Sequence, residues 1–187
     1  EIAQGDVVLI KGDNYSGKTT LLKIIAGIIE VEKGCLYFDD VEISKIPIST
    51  IRENLFYIPQ KISLINSSIL TNIINDSEIK KDQFMTILND ADLTEYVNSL
   101  PDGINSIIDD IDNNIALKYR KRIAIARSIF LGGNIIILDD PLHGADSDYV
   151  SNFLNFFNKL IKDKKTIFIS TECEKLIDKA NIIIDLN

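Results

Sequence analysis

The chain of 187 residues has few of the residues that mark several large classes of protein. Its two cysteines, Cys35 and Cys173, are too few and too far apart in sequence for a disulfide framework or a zinc site, so a reduced, cytosolic setting is expected. Lys and Arg number 20 against 28 Asp and Glu, and the net charge of −8 argues against nucleic acid or an anionic membrane as the main partner. No apolar run approaches the ~20 residues that span a bilayer.

What is present is typical of a globular protein with one buried core. Hydrophobic residues make up 45% of the chain and charged residues 26%. Apolar runs of strand length alternate with helical patterns, which predicts an α/β fold with a mostly parallel sheet. These runs lie at residues 7–10, 36–38, 55–58, 135–138, 166–170 and 181–185.

One long stretch interrupts this alternation. Residues 61–131 lack convincing strands and carry helical periodicity at 80–91, 93–100 and 120–131. The chain is therefore expected to be a single domain that consists of a core lobe, residues 1–60 and 132–187, and an inserted helical subdomain, residues 61–131.

The segment 12–19 matches the phosphate-binding pattern G-x-x-x-x-G-K-[ST] at every specified position. A short apolar strand precedes it and a helical pattern follows it. Backbone N–H groups and a helix N-terminus are therefore expected to converge on a polyphosphate there. Lys18 is expected to contact the β- and γ-phosphates, and Thr19 to bind Mg²⁺. The nucleotide is predicted to bind at Gly12, Asp13, Asn14, Tyr15, Ser16, Gly17, Lys18, Thr19 and Thr20.

A second candidate motif is the apolar strand at residues 135–138, which is followed by two carboxylates, Asp139 and Asp140. Asp139 is positioned to hold the magnesium at the carboxyl edge of the sheet. Asp140 follows Asp139, and P-loop enzymes can place at this position a carboxylate that polarises the attacking water. The alternative is a strand followed by an acidic turn, which Pro141 and Gly144 also suit.

Together, these motifs and several later segments resemble the nucleotide-binding domain of ATP-binding cassette (ABC) transporters of the exporter type. The resemblance covers nearly all of the chain, and it depends on the order and spacing of the motifs. The matching segments are the Q-loop at 56–60, two exporter-type segments at 63–73 and 96–103, the helix after the signature motif at 122–127, and the D-loop at 143–146.

The resemblance implies a fold, a cofactor and partners. The fold is the P-loop NTPase fold of an ATP-binding cassette with a helical subdomain, and the cofactors are ATP and Mg²⁺. Gln60 of the Q-loop is implied as a further metal ligand that also senses the γ-phosphate. A second cassette closes each ATP site, as a homodimer or a heterodimer. Transmembrane helices are expected to be fused upstream of Glu1, which places the cassette at the cytoplasmic face of the membrane. The family's N-terminal strands, which carry the aromatic residue that stacks on adenine, are also expected upstream of Glu1.

The sequence departs from the family at the signature motif. The family reads Leu-Ser-Gly-Gly-Gln where this chain has Ile115-Ala116-Leu117-Lys118-Tyr119. The serine hydroxyl is missing, and two bulky residues replace the glycines that let a backbone approach a phosphate. This motif is therefore expected to cap the opposite nucleotide poorly.

Two departures fall on the hydrolytic chemistry. Asp140 stands where the family has glutamate, so the carboxylate is shorter by one methylene and displaced by roughly an ångström, which can cost on the order of 100-fold in rate. Glu172 stands where the family has its switch histidine, and its negative charge is repelled by a phosphate. The catalytic positions are thus Asp140, Gln60 and Glu172, and hydrolysis is expected to be weak.

The leading hypothesis is an exporter cassette that binds Mg-ATP and couples dimer closure to transport. The second hypothesis is a non-catalytic, nucleotide-sensing cassette of a heterodimeric transporter. ABC ATPases that act on ribosomes or DNA are disfavoured by the acidic charge, and small-molecule kinases lack the Q-loop and the helix at 122–127.

Overall fold

The computed structural model describes residues 1–75, 77–108 and 115–187. In chain order the strands and helices are β1 (Val7–Lys11), α1 (Lys18–Ile25), β2 (Tyr37–Phe38), β3 (Val41–Glu42), α2 (Ile48–Asn54), β4 (Leu55–Ile58), β5 (Ser67–Ser68), α3 (Ile69–Ile74), α4 (Lys81–Asp90), α5 (Thr94–Ser99), β6 (Ile107–Ile108), α6 (Leu117–Leu131), β7 (Ile135–Asp139), α7 (Ser147–Lys162), β8 (Thr166–Ser170), α8 (Glu174–Ile177) and β9 (Ile182–Asp185). Within the described ranges, none of these helices combines the length and the hydropathy needed to cross a membrane.

The chain divides into two compact units. The core unit comprises Glu1–Gln60, Gly132–His143 and Lys159–Asn187, and the helical unit comprises Lys61–Leu131 and Gly144–Asn158. The sequence placed residues 144–158 in the core lobe, whereas in the structure they cluster with the helical unit. The reason lies in the contacts of α7, since the ammonium group of Lys121 lies 5.5 Å from the ring centroid of Tyr149 and Asn152 donates a hydrogen bond to Asp92.

A five-stranded parallel sheet in the order β4-β7-β8-β1-β9 forms the centre of the core unit. Its inner strands are nearly continuous runs of buried Ile, Val, Leu and Phe, as β1 and β8 illustrate. Such runs suit a sheet that is covered on both faces. The predicted α/β fold with a mostly parallel sheet is confirmed.

The sheet order brings the predicted motifs to one edge. Because the five strands are parallel, the segments that follow β4, β7, β8 and β1 all leave the sheet at its carboxyl edge. Gln60 follows β4, Asp139 ends β7, Glu172 follows β8, and Gly12 follows β1. Ligands of open parallel sheets bind at this edge.

Two expectations about strands were wrong. Residues 36–38 do not join the main sheet, because β2 pairs with β3 in a separate antiparallel hairpin. Asp39 and Asp40 form its two-residue turn with φ of 48° and 65°, and a tight hairpin turn of this kind requires positive φ at both positions. Residues 61–131 also contain strand structure, because β5 and β6 form a second short antiparallel pair.

The helical unit is held together around α3 and α6. The side chain of Arg127 in α6 donates hydrogen bonds to the carbonyl oxygen and the side-chain oxygen of Asn72 in α3 and to the carbonyl oxygen of Ser63. Asn72 is buried and also bonds the backbone of Ile65 and Ser68. Burial lowers the pKa of Arg127, but the guanidinium retains its charge at neutral pH.

Candidate nucleotide-binding site

The loop between β1 and α1 has the backbone of a phosphate cradle. Gly17 precedes the first helical residue with φ of 100°, which is a left-handed conformation that favours glycine. A Cβ at Gly12 would clash with the Oγ atom of Ser16 unless that side chain moved, and the φ of 152° also favours glycine at this position. The space around Gly17 is open, since a Cβ there would meet no atom within 4 Å.

Two polar side chains of this loop point to a possible ligand in different ways. The Nζ atom of Lys18 donates hydrogen bonds to the carbonyl oxygens of Gly12 and Asp13, both over 2.7 Å. The hydroxyl group of Ser16 is buried and has no hydrogen-bond partner among the residues that the structure describes. A buried hydroxyl without a partner is unfavourable and is satisfied when a ligand oxygen reaches it.

The nine residues expected at the nucleotide all lie in this loop and in the first turn of α1. The side chain of Tyr15 is fully exposed, and the backbone N–H of Asp13 is already bonded to the side chain of Asn187. The nine residues are Gly12, Asp13, Asn14, Tyr15, Ser16, Gly17, Lys18, Thr19 and Thr20.

Asp139 lies at the end of β7 and accepts hydrogen bonds from three hydroxyl groups. Its Oδ1 atom accepts from Thr19 over 3.1 Å and from Ser170 over 3.0 Å. Its Oδ2 atom accepts from Tyr57 over 3.0 Å. The carboxylate is 3% exposed, so these three bonds fix its orientation in a mostly buried position. The bond from Thr19 to Asp139 joins two of the three residues that the sequence predicted for Mg²⁺, the third being Gln60.

The sequence did not identify Tyr57 and Ser170 as part of this site. Burial raises the pKa of Tyr57, and the neighbouring carboxylate of Asp139 raises it further, so the phenol stays protonated and donates. Ser170 could have been found from its pairing with Asp139 on the neighbouring strand. Tyr57 could have been found from its pairing with Ile137, because residues two apart in a strand lie on the same face and Ile137 therefore shares a face with Asp139. Both signals require the strand register, which the sequence did not provide.

The three predicted catalytic residues are only partly brought together. The Nε2 atom of Gln60 donates a hydrogen bond to the Oδ2 atom of Asp140 over 2.9 Å. The backbone N–H of Asp140 is bonded to both the carbonyl and the hydroxyl oxygen of Ser170. Glu172 is exposed, and within the described part of the chain no hydrogen bond or ion pair links it to the phosphate loop or to Asp140.

The segment at the signature position belongs to the helical unit. Leu117 and Lys118 are the first two residues of α6. The ring of Tyr119 stacks on the ring of Tyr96 with centroids 3.7 Å apart and planes within 12°. The ammonium group of Lys118 lies 5.2 Å from the ring centroid of Tyr119. Tyr119 therefore has a packing role in this unit.

The aspartate of the D-loop has a clear structural role. The Oδ1 atom of Asp146 accepts a hydrogen bond from the backbone N–H of Tyr149 over 2.8 Å. Asp146 therefore caps the N-terminus of α7, where an aspartate side chain is strongly preferred.

Comparison with known proteins agrees with this arrangement. The family model described as ABC transporter matches residues 1–143. The chain is 28% identical over 185 residues to the ATP-dependent lipid A-core flippase of Burkholderia pseudomallei, covering 99% of this chain and 31% of the flippase. It is 27% identical over 188 residues to the flippase of the same name from Thiobacillus denitrificans, covering 100% of this chain and 32% of that protein.

The fold is also similar to that of a solved structure. A bacterial Atm1-family ABC exporter with ATP bound superposes with a TM-score of 0.87 at 20% sequence identity, covering 100% of this chain and 32% of the exporter chain. The chain thus spans about a third of the length of the relatives that it matches. From its motifs, its sheet order and these matches, we conclude that the chain belongs to the ABC transporter family and has the fold of that family's ATP-binding cassette.

Proposed function

We propose that the chain is the Mg-ATP-binding cassette of an ABC exporter. In this proposal, ATP closes the cassette against a second cassette, and this closure is coupled to transmembrane helices at the cytoplasmic face of a membrane, with those helices fused N-terminally. Two similar proteins are named lipid A-core flippases, and a third is described as an exporter with ATP bound. Those descriptions support the class of protein and leave the transported substrate open.

The hydrogen bond from Thr19 to Asp139 is the observation that carries this proposal. Mg²⁺ prefers oxygen ligands in an octahedral arrangement and in nucleotide sites is held by one or two protein groups and by phosphate oxygens. A hydroxyl and a carboxylate 3.1 Å apart, one on the phosphate loop and one on the adjacent strand end, fit that requirement. We assign the metal to Thr19 and Asp139, with the side-chain oxygen of Gln60 as a third ligand.

The phosphates are assigned to the loop. The ammonium group of Lys18 donates to two loop carbonyls and would contact a phosphate oxygen when the nucleotide binds. The hydroxyl of Ser16 gains the partner that it lacks. Mg²⁺ held by Thr19, Asp139 and Gln60 would offset the negative charge of the phosphates. The N-terminus of α1 adds backbone N–H donors, which favour anions.

We propose that hydrolysis is weak. The carboxylate of Asp140 is shorter than the glutamate of the family, and a misplacement of about 1 Å can cost about 100-fold in rate. Glu172 stands at the switch position with a charge that a phosphate repels. In any dimer, the defects of Ala116–Tyr119 and those of Asp140 and Glu172 leave no ATP site that consists wholly of standard parts.

A nucleotide-sensing cassette without turnover is the second candidate. The stacking of Tyr119 on Tyr96 favours it, since a ring packed against α5 occupies the position of the glutamine in the family's signature motif. In this candidate, Mg-ATP binds at the same loop and regulates a partner cassette that carries out hydrolysis.

The test of nucleotide binding is equilibrium titration of the purified full-length protein with Mg-ATP. Lys18→Ala should abolish binding, because the loop loses its positive charge at the phosphates. Lys23→Ala is the matched control, since Lys23 lies in the last turn of the same helix and carries the same charge. Equal affinity in the two variants would contradict the proposed site.

A further inference from the structure

His143, the single histidine of the chain, lies beside the carboxylate of Asp140, the residue that follows β7. The Nδ1 atom of His143 is 3.2 Å from the Oδ2 atom of Asp140. A tight turn produces this arrangement, because the backbone N–H of His143 donates to the carbonyl oxygen of Asp140 over 3.1 Å. Asp at the first position and Pro141 at the second are the residues that such a turn favours.

The backbone of Asp140 is itself in an unusual conformation. Its φ is 45°, in the left-handed region, where aspartate is several-fold more common than most other residues. Its backbone N–H is held by Ser170, which fixes this conformation at the end of β7. The short side chain of aspartate thus suits the backbone at this point, although it removes a methylene from the carboxylate arm.

Two nitrogen atoms lie close to one oxygen of the Asp140 side chain. Gln60 donates to Oδ2 over 2.9 Å, and the imidazole of His143 faces the same atom. Among the described residues, no recorded hydrogen bond reaches the Oδ1 atom of Asp140. A carboxylate accepts hydrogen bonds, so a hydrogen bond between Nδ1 of His143 and Oδ2 of Asp140 requires the proton on Nδ1.

We propose that His143 is a positioning residue for Asp140. His143 and Gln60 both contact Oδ2, and this orients Oδ1 to accept the proton of a water molecule whose oxygen would bond to the γ-phosphorus, with ADP as the leaving group. The turn at residues 140–143 places a histidine next to the proposed hydrolytic carboxylate of Asp140. The position of the family's switch histidine is taken by Glu172 in this chain. This inference rests on the proposed function, since it assigns a role in the slow hydrolysis at that site.

The first test is steady-state kinetics of the purified full-length protein. His143→Ala should lower kcat about 10- to 100-fold, because the carboxylate is no longer held in place, while KM for Mg-ATP changes less than about twofold. His143→Asn should restore most of kcat, because its side-chain amide can donate from nearly the position of Nδ1. In an Asp140→Asn background, His143→Ala should have no further effect, since His143 acts through Asp140.

Several outcomes would overturn the inference. These are an unchanged kcat in His143→Ala, a parallel loss of Mg-ATP affinity, or no recovery with His143→Asn. Mg-ATP binding with no turnover at all would also overturn it while the proposed binding function stands. Failure to bind Mg-ATP would instead contradict the proposed function.

The second test is independent of turnover. Within these 187 residues His143 is the one histidine, and in the full-length protein its imidazole ¹⁵N resonances are identified as those that disappear in His143→Ala. We expect Nδ1 to carry the proton and its resonance to move in Asp140→Asn, since the acceptor has changed. Identical imidazole spectra in the two proteins would show that the pair is not in contact.

Discussion

The hydroxyl group of Tyr57 donates a hydrogen bond to the carboxylate of Asp139 over 3.0 Å, from the strand next to the one that Asp139 ends. Burial and the carboxylate both raise the pKa of Tyr57, so this donor persists across the physiological pH range. Together with the bonds from Thr19 and Ser170, it directs the carboxylate of Asp139 towards the phosphate loop.

Tyr57→Phe should weaken Mg-dependent ATP binding. Removing the hydroxyl frees one carboxylate oxygen to rotate, and the loss of one hydrogen bond corresponds to an affinity about three- to tenfold lower. Titrations with and without Mg²⁺ separate this effect from direct nucleotide contacts. Tyr37→Phe is the matched control, because Tyr37 lies in the exposed hairpin of the same unit. An equal loss in both variants, or a loss that does not depend on Mg²⁺, would argue against the assignment.

Ser170→Ala should destabilise the fold. The hydroxyl of Ser170 is 1% exposed, donates to Asp139 and accepts from the backbone N–H of Asp140. Its removal leaves buried groups without a partner, so the free energy of unfolding should fall by about 1–3 kcal/mol in urea denaturation. Ser151→Ala, on the exposed face of α7, should change it by less than about 0.5 kcal/mol.

Asn72→Ala should destabilise the helical unit. The side chain of Asn72 bonds Arg127 and the backbone of Ile65 and Ser68, and it is nearly fully buried. We expect a loss of about 2–4 kcal/mol, because several backbone groups lose their partner at once. Asn98→Ala, at an exposed position of α5, is the control. Similar unfolding curves for the two variants would contradict this role.

The parts of the site that could be predicted are those that are contiguous in sequence. The candidate phosphate loop is one eight-residue segment, and Gly12 has a local role there because a Cβ would crowd Ser16. Asp139 could also be found, since a buried strand that ends in a carboxylate is visible in the sequence.

The parts that were missed depend on pairing between distant segments. Tyr57 and Ser170 lie at the site because of the strand register. Residues 36–38 lie outside the main sheet, because the turn at Asp39 and Asp40 pairs them with the next strand in a hairpin. From the sequence, His143 was assigned only to the D-loop. Its proximity to Asp140 depends on the geometry of a turn, which the amino-acid sequence alone does not determine. Likewise, the stacking of Tyr119 on Tyr96 joins two helices that are separated in sequence.

The central claim is that this cassette binds Mg-ATP at its phosphate loop and hydrolyses it slowly. Single-turnover hydrolysis, measured beside Mg-ATP affinity on the same preparation of full-length protein, tests this claim most directly. We predict binding that is lost in Lys18→Ala, with a rate constant near 0.1 s⁻¹, about 100-fold below the median enzyme turnover of about 10 s⁻¹. Hydrolysis at about 10 s⁻¹ or faster, abolished by Asp140→Asn, would contradict it.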